Sequence, residues 1–298
     1  MNMRKLLVAS LVVLFAVACV IVLSMNSSTR APQAENVQGG GSSSATTDRH
    51  ALSSYSALIS QKKLDPKFAQ PLGTRAFAIS RNGEFRPRGD AREFILSRLG
   101  ASDSGDSTAS YEIYLAALDC RNAGSPGELQ SARLLANQSD QQSALRSSER
   151  RLQECSSLLK DSNLSPPGKW LLKAAMQGSV EAMLLYAADT ESAFGGSASA
   201  IQNPEAVIEW KQNSVSFLNT AASQGSVDAL VALGRANTNG IIVEKNPTEA
   251  YAYYLAAKKA MPSAFSDKLL GRYKNELSPT QQQAAISRAD AIYKGCCQ

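Results

Sequence analysis

Gly178-Ser179-Val180-Glu181-Ala182 and Gly225-Ser226-Val227-Asp228-Ala229 are one five-residue phrase written twice, as G-S-V-E-A and G-S-V-D-A. Trp170-Leu171-Leu172-Lys173-Ala174-Ala175-Met176-Gln177 leads into the first, and Phe217-Leu218-Asn219-Thr220-Ala221-Ala222-Ser223-Gln224 into the second. An aromatic, a leucine, an Ala-Ala pair and a Gln-Gly end recur in the same order and spacing. A weaker copy, Gly105-Asp106-Ser107-Thr108-Ala109, precedes Tyr111, Ile113, Tyr114, Leu115 and Leu118. Self-similarity of this kind marks helix pairs stacked one on the next. In each phrase the glycine supplies the left-handed backbone that ends one helix. The Ser or Asp after it caps the next helix, and Glu181 or Asp228 in that first turn complements the helix dipole. The alanine lets two helices cross closely. Gly105, Ala109, Gly178, Ala182, Gly225 and Ala229 are therefore the turn and packing residues.

Around these phrases the chain reads as helices. Ala51 to Gln61 carries Leu52, Tyr55, Leu58 and Ile59 at helical spacing, and Asp90 opens a helix through Leu99. Ser110–Ala123, a segment from Glu128, and about Ser143–Lys160 follow. Ser165-Pro166-Pro167 starts the helix carrying Trp170, and Val180 to Ala188 is its partner. A loop is expected near Gly195-Gly196. Pro204–Ser223 and Val227–Ala236 form the next pair, then Thr248–Ala260 and Pro262–Lys274. Ser278-Pro279-Thr280-Gln281 reads as a capping box with proline at the first helical position, opening a helix to about Tyr293. The irregular stretch 64–89 contains Pro66, Pro71 and Pro87, and Asn82-Gly83 between Ala76–Ile79 and Phe85 is a hairpin signal. Arg75, Arg81, Arg86, Arg88, Arg92 and Arg98 make this region the richest in arginine. They read either as a surface for an acidic partner or as a solvated face partly balanced by Glu84, Asp90 and Glu93.

The whole is expected to be all-α, antiparallel helix pairs stacked one on the next, with an N-terminal membrane helix and a flexible linker. Four parts are expected, at 1–25, 26–50, 51–162 and 163–298. Arg4 and Lys5 precede a run from Leu6 to Met25 that holds no charge. Twenty such residues span roughly 30 Å as a helix, the thickness of a hydrocarbon core. The flanking charges keep the N-terminus inside and send the rest across. A retained signal anchor fits best, because apolar residues continue through Val20-Ile21-Val22-Leu23. Cleavage after Ala16-Val17-Ala18 and lipidation of Cys19 are the alternatives. Asn26 to His50, with its Gly-Gly-Gly-Ser-Ser-Ser core, has too little apolar content to fold and reads as a tether. The domain is thus expected outside the cytoplasm, held at the inner membrane and facing the periplasm.

Composition narrows the chemistry. Of 298 residues 44% are hydrophobic and 19% charged, enough to bury a core. A formal net charge of +5 falls short of a nucleic-acid-binding signature. The one histidine, His50, lies in the tether, so triad catalysis and histidine-based metal sites are excluded from the helical region. No catalytic, cofactor-binding or metal-binding residues are expected, and no cofactor. In an oxidising compartment Cys120 and Cys155 are expected to form a disulfide, with two buried thiols as the alternative. Of the adjacent Cys296 and Cys297, one is expected to pair elsewhere and one to stay free, against a redox-active adjacent pair.

The stretches W-L-L-K-A-A-M-Q-G-S-V-E-A and F-L-N-T-A-A-S-Q-G-S-V-D-A-L-V-A-L-G, with T-N-G-I-I-V-E-K-N-P-T-E-A-Y-A-Y-Y-L-A-A, resemble Sel-one-like repeats, α/α units related to tetratricopeptide repeats. The resemblance runs from about Gly168 to Ala260 and more faintly over Asp90–Leu118. It departs at Thr190–Asn203, which lacks the usual glycine-rich pattern, and at Tyr253, where tryptophan is common. It implies a right-handed superhelix and an adaptor that holds partners in its groove, as exported bacterial members do in envelope assembly, signalling or host contact. Protein partners and the membrane are the expected contacts, without nucleic acid. Trp210, Tyr251 and Tyr254 are candidate groove anchors, though aromatics at helical spacing more often fill a core. An alternative is an envelope enzyme acting on cell-wall material through carboxylates such as Glu205 and Glu209.

Overall fold

Caps written in the sequence set the helix starts in the computed structural model, which describes residues 55–80, 86–125, 127, 130–131 and 141–298. The expected membrane segment 1–25 and the linker 26–50 lie outside the described residues, as do Arg81, Asn82-Gly83, Glu84 and Phe85. Among the described residues no helix is long and apolar enough to cross a membrane. The chain is mostly helical: α1 (Tyr55–Ser60), α2 (Ala91–Asp103), α3 (Ser107–Ala123), α4 (Gln141–Leu159), α5 (Pro167–Met176), α6 (Val180–Ala188), α7 (Thr190–Phe194), α8 (Gly196–Gln202), α9 (Pro204–Ser223), α10 (Val227–Asn239), α11 (Pro247–Ala260), α12 (Asp267–Asn275) and α13 (Pro279–Cys296). One short antiparallel hairpin pairs β1 (Ala69–Pro71) with β2 (Phe77–Ile79).

Helices neighbouring in sequence pack together, α2 on α3, α5 on α6 and α9 on α10. Successive pairs join through α3 on α5, α6 on α9 and α10 on α11, with α13 closing over α11. The core runs without a break from Leu58 to Cys297 across these elements. Trp210, Tyr251 and Tyr254 belong to it, at 5%, 6% and 2% exposure, so they are core side chains and not groove anchors. Trp210 Nε1 donates to the carbonyl of Tyr186 at 2.9 Å, which satisfies the indole inside the stack.

Two expectations are corrected. Thr190–Asn203 is not a loop but the two short helices α7 and α8: Asp189 caps the first, and left-handed Gly195 separates it from the second. Pro262–Lys274 is not one helix: a 3-10 turn at Pro262–Ala264 gives way to extended Phe265, whose buried ring lies 4.9 Å from that of Tyr254, before Ser266 caps α12. The described hairpin pairs β2 with the upstream Ala69–Pro71, around a turn containing Gly73; the expected turn at Asn82-Gly83 lies outside the described residues.

The phrases form the helix junctions. Gly105, Gly178 and Gly225 have φ of +94°, +101° and +102°. Asp106, Ser179 and Ser226 accept from the backbone N–H of Ala109, Ala182 and Ala229, and all three alanines are buried. The Ser278 capping box is present as well.

Each phrase also holds one stretch of chain from the N-terminal side. Residues 62–79 run along the three junctions as a strap. At the first junction Ser107 and Thr108 donate to the carbonyl of Lys62 at 2.6 and 2.9 Å, while Lys62 Nζ reaches Asp106 at 2.7 Å. At the second, the N–H of Val180 donates to the carbonyl of Lys63 and the N–H of Asp65 donates to Glu181, at 3.0 and 2.9 Å. At the third, the N–H of Phe77 donates to the carbonyl of Gly225 at 3.0 Å and the N–H of Ile79 donates to Asp228 at 2.6 Å. The repeated acid is thus an acceptor for the strap's backbone as well as a first-turn charge.

Glu181 is 2% exposed, and burial pushes its carboxyl up; hydrogen bonds from Asp65, from its own N–H and from Ser179 oppose that only in part. A carboxyl raised in the fold binds more protons folded than unfolded. Its charge therefore costs nothing below the ordinary carboxyl range, and the cost grows as pH rises through the folded value. Glu181→Gln keeps an acceptor for Asp65 without the charge. Denaturant midpoints at about pH 4 and about pH 7 should show the variant gaining on the parent as pH rises. Parallel pH profiles would contradict this reading.

Candidate functional site

Helix α3 carries one face of a groove and α4 and α6 the others. Tyr114, Leu115, Leu118, Asp119 and Asn122 of α3, Arg151 of α4, Leu185 and Ala188 of α6, and Asp189 between α6 and α7 line a recess of about 450 Å³. Apolar side chains make up most of the lining, with a few polar ones among them, the usual make-up of a binding cleft. Tyr114 Oη donates to Asp189 at 2.8 Å, and Asp189 also accepts from the hydroxyl and N–H of Ser192. Burial works against the Asp189 charge, but these donors and Arg121 prevail and hold it below the usual carboxylate range. Burial foremost, and then the bond to Asp189, push the Tyr114 hydroxyl well up, so it stays a neutral donor. This network ties α3 to the start of α7 and fixes the groove wall.

A second recess of about 320 Å³ adjoins the first, sharing Asp119 and Arg151 with it. Arg86, Arg88, Arg150, Arg151, Asp119, Glu154, Ser147 and Pro87 line it. Arg86 is buried and fully used. Its Nε meets Asp119 at 3.2 Å, Nη2 meets Glu154 at 3.0 Å, and Nη1 donates to the carbonyls of Pro87 and Gly89. Arg151 takes the other oxygen of Asp119 at 2.6 Å, and Arg150 stands 3.9 Å from Glu154. A planar guanidinium is the group able to bridge two carboxylates and two carbonyls at once.

Cys120 and Cys155 form a disulfide beneath this recess, with Cα atoms 5.2 Å apart. A closed loop of this length stabilises by roughly 3–4 kcal/mol in the chain-entropy model. The bond joins the residue after Asp119 to the residue after Glu154, so the two acids that grip Arg86 are covalently tied. Asp119, Cys120 and Cys155 also bring potential metal-ligand atoms within 4.8 Å. The two sulfurs are bonded to each other, however, and both oxygens of Asp119 are held by arginines, so the set does not suit a metal.

The other arginines separate. Arg92 pairs with Asp161, and Arg98 pairs with Glu112 and stacks on Phe94. Arg75 donates to the carbonyls of Gly295 and Gln298 in the last turn of the chain. Among the described residues their ion-pair partners are acids of α3 and α4 and of the loop after α4, while Glu84 lies outside the described residues. Asp90 caps α2 and accepts from Ser157, the bond chiefly responsible for holding its carboxyl below the usual range. Cys296 and Cys297 are bonded to each other, not to a cysteine elsewhere; Cys120 and Cys155 are already occupied. Glu205 and Glu209 are exposed on α9 and line none of these recesses.

Asp119 and Glu154 did not stand out in the sequence. The available signal was that each cysteine of the pair follows an acid, Asp119-Cys120 and Glu154-Cys155, within a region rich in arginine. Neither a model of a known protein family nor a curated protein matches this chain.

Proposed function

We propose that this is an exported helical-repeat protein of the Sel-one-like kind, a right-handed superhelix of helix pairs tethered to the inner membrane and facing the periplasm. In this reading it is a scaffold that holds a partner protein. The observation that carries the reading is the groove along α3, α4 and α6, which stays open beside a core that has absorbed the aromatic residues. Its apolar side chains Leu115, Leu118, Leu185 and Ala188 suit those of a partner segment, and its polar ones would set orientation. The charge-free run Leu6–Met25 and the tether after it support the membrane address. The disulfide between Cys120 and Cys155 suits an oxidising compartment. Glu205 and Glu209, being exposed, lend no support to the carboxylate-enzyme alternative.

Crosslinking in isolated membranes followed by recovery of the protein tests this. A partner captured by the parent chain is expected to be lost with Leu118→Glu, which puts a charge in the groove. Equal recovery with both chains contradicts the groove as the holding surface. N-terminal mass analysis of the same material separates the anchored form from a soluble one beginning at Cys19.

A further inference from the structure

We propose that the arginine-lined recess at the end of α3 is an oxyanion site, taking a phosphate or carboxylate group. Four guanidinium groups, from Arg86, Arg88, Arg150 and Arg151, face two carboxylates, Asp119 and Glu154. Four minus two leaves two positive charges gathered in one concavity. Like charges so placed repel one another, and a recess with low-dielectric walls concentrates their field on any anion that enters. Arg86 is spent on structure, and the surplus belongs to the rim. Arg88 is exposed and has no ion-pair partner among the described residues, while Arg150 has only its 3.9 Å approach to Glu154. Guanidinium forks bind oxyanions through paired, charge-assisted hydrogen bonds, which favours phosphate and carboxylate over a spherical anion.

The recess is also held in advance of any ligand. Arg86 anchors both carboxylates, and the Cys120–Cys155 disulfide fastens the helices that carry them. Arg150 and Arg151 thus stand on a fastened helix, with Arg88 two residues past the anchored Arg86, which lowers the ordering cost of binding. The anion has two possible sources: a free small molecule, or an acidic group on a longer ligand that continues through Asp119 and Arg151 into the apolar groove. The second source rests on the scaffold reading; the oxyanion site itself does not.

Full-length protein in zwitterionic detergent, at fixed ionic strength, is titrated by calorimetry with inorganic phosphate and separately with the peptide Glu-Glu-Leu-Leu. Saturable binding of at least one probe is expected. The double variant Arg88→Gln/Arg150→Gln should weaken it about tenfold or more. Both residues are exposed, so thermal melts of this variant should match the parent, and Arg235→Gln/Arg272→Gln should leave binding unchanged. A peptide preference abolished by Leu118→Glu identifies the longer ligand; equal binding of both probes, insensitive to Leu118→Glu, identifies a small oxyanion. Absence of saturable binding with either probe, or equal losses in the two double variants, overturns the proposal. Partner capture in membranes is scored independently, so either reading can fail while the other stands.

Discussion

Replacing Arg86 by alanine is expected to cost about 3–5 kcal/mol of folding stability, read as a lowered midpoint in urea. The side chain is buried and joins four sets of oxygen acceptors: Asp119, Glu154 and the carbonyls of Pro87 and Gly89. Its removal leaves Glu154, among the described residues, with the loose contact to Arg150 alone, and leaves two carbonyls short of a donor. That is the costly case for a buried ion pair, since one side loses its partner while the other stays desolvated. Arg86→Lys should recover only part of the loss, because one ammonium cannot span the same four positions. Arg88→Ala, at an exposed position in the same recess, should fall within about 0.5 kcal/mol of the parent. Equal midpoints for Arg86→Ala and Arg88→Ala would refute the structural role given to Arg86.

Gly225→Ala should destabilise more than Gly178→Ala by about 1–3 kcal/mol, although both glycines sit at the same place in the repeated phrase. Both have positive φ, so both variants carry the same left-handed strain of about 1–2 kcal/mol. They differ in what a methyl group would meet. At Gly225 it would lie 2.2 Å from the carbonyl oxygen of Arg75, which is strap backbone pinned on either side by Phe77 and the hairpin. At Gly178 it would meet only the side chain of Lys63 at 3.2 Å, and that chain can swing aside. Equal losses in chemical denaturation would mean that the strap does not press on the third junction as described.

The helices and their junctions were legible because the signals are local. A cap, a left-handed glycine and an apolar stripe lie within a few residues of one another, and Val180–Ala188 and Pro204–Ser223 follow them closely. The irregular segment was not legible, since 62–79 has little structure of its own and takes its course from distant acceptors. The acids of the phrase show the limit most clearly. Glu181 and Asp228 read as first-turn charges, yet each receives an N–H from residues more than a hundred positions away. The recess was hidden for the same reason, because Arg86, Asp119 and Glu154 come together only through the packing of α3 against α4. Short helices across Thr190–Asn203 were masked by glycines that separate them without making a loop.

The most direct measurement of the scaffold reading is site-specific photo-crosslinking in intact cells. A photoreactive residue at Leu118 or Leu185 faces the groove, whereas Ile208 and Ile241, 56% and 57% exposed, are apolar side chains outside it. The account predicts one discrete protein adduct from Leu118 and Leu185 and none of that adduct from Ile208 or Ile241. The same adduct from all four positions, or from Ile208 and Ile241 alone, would contradict it.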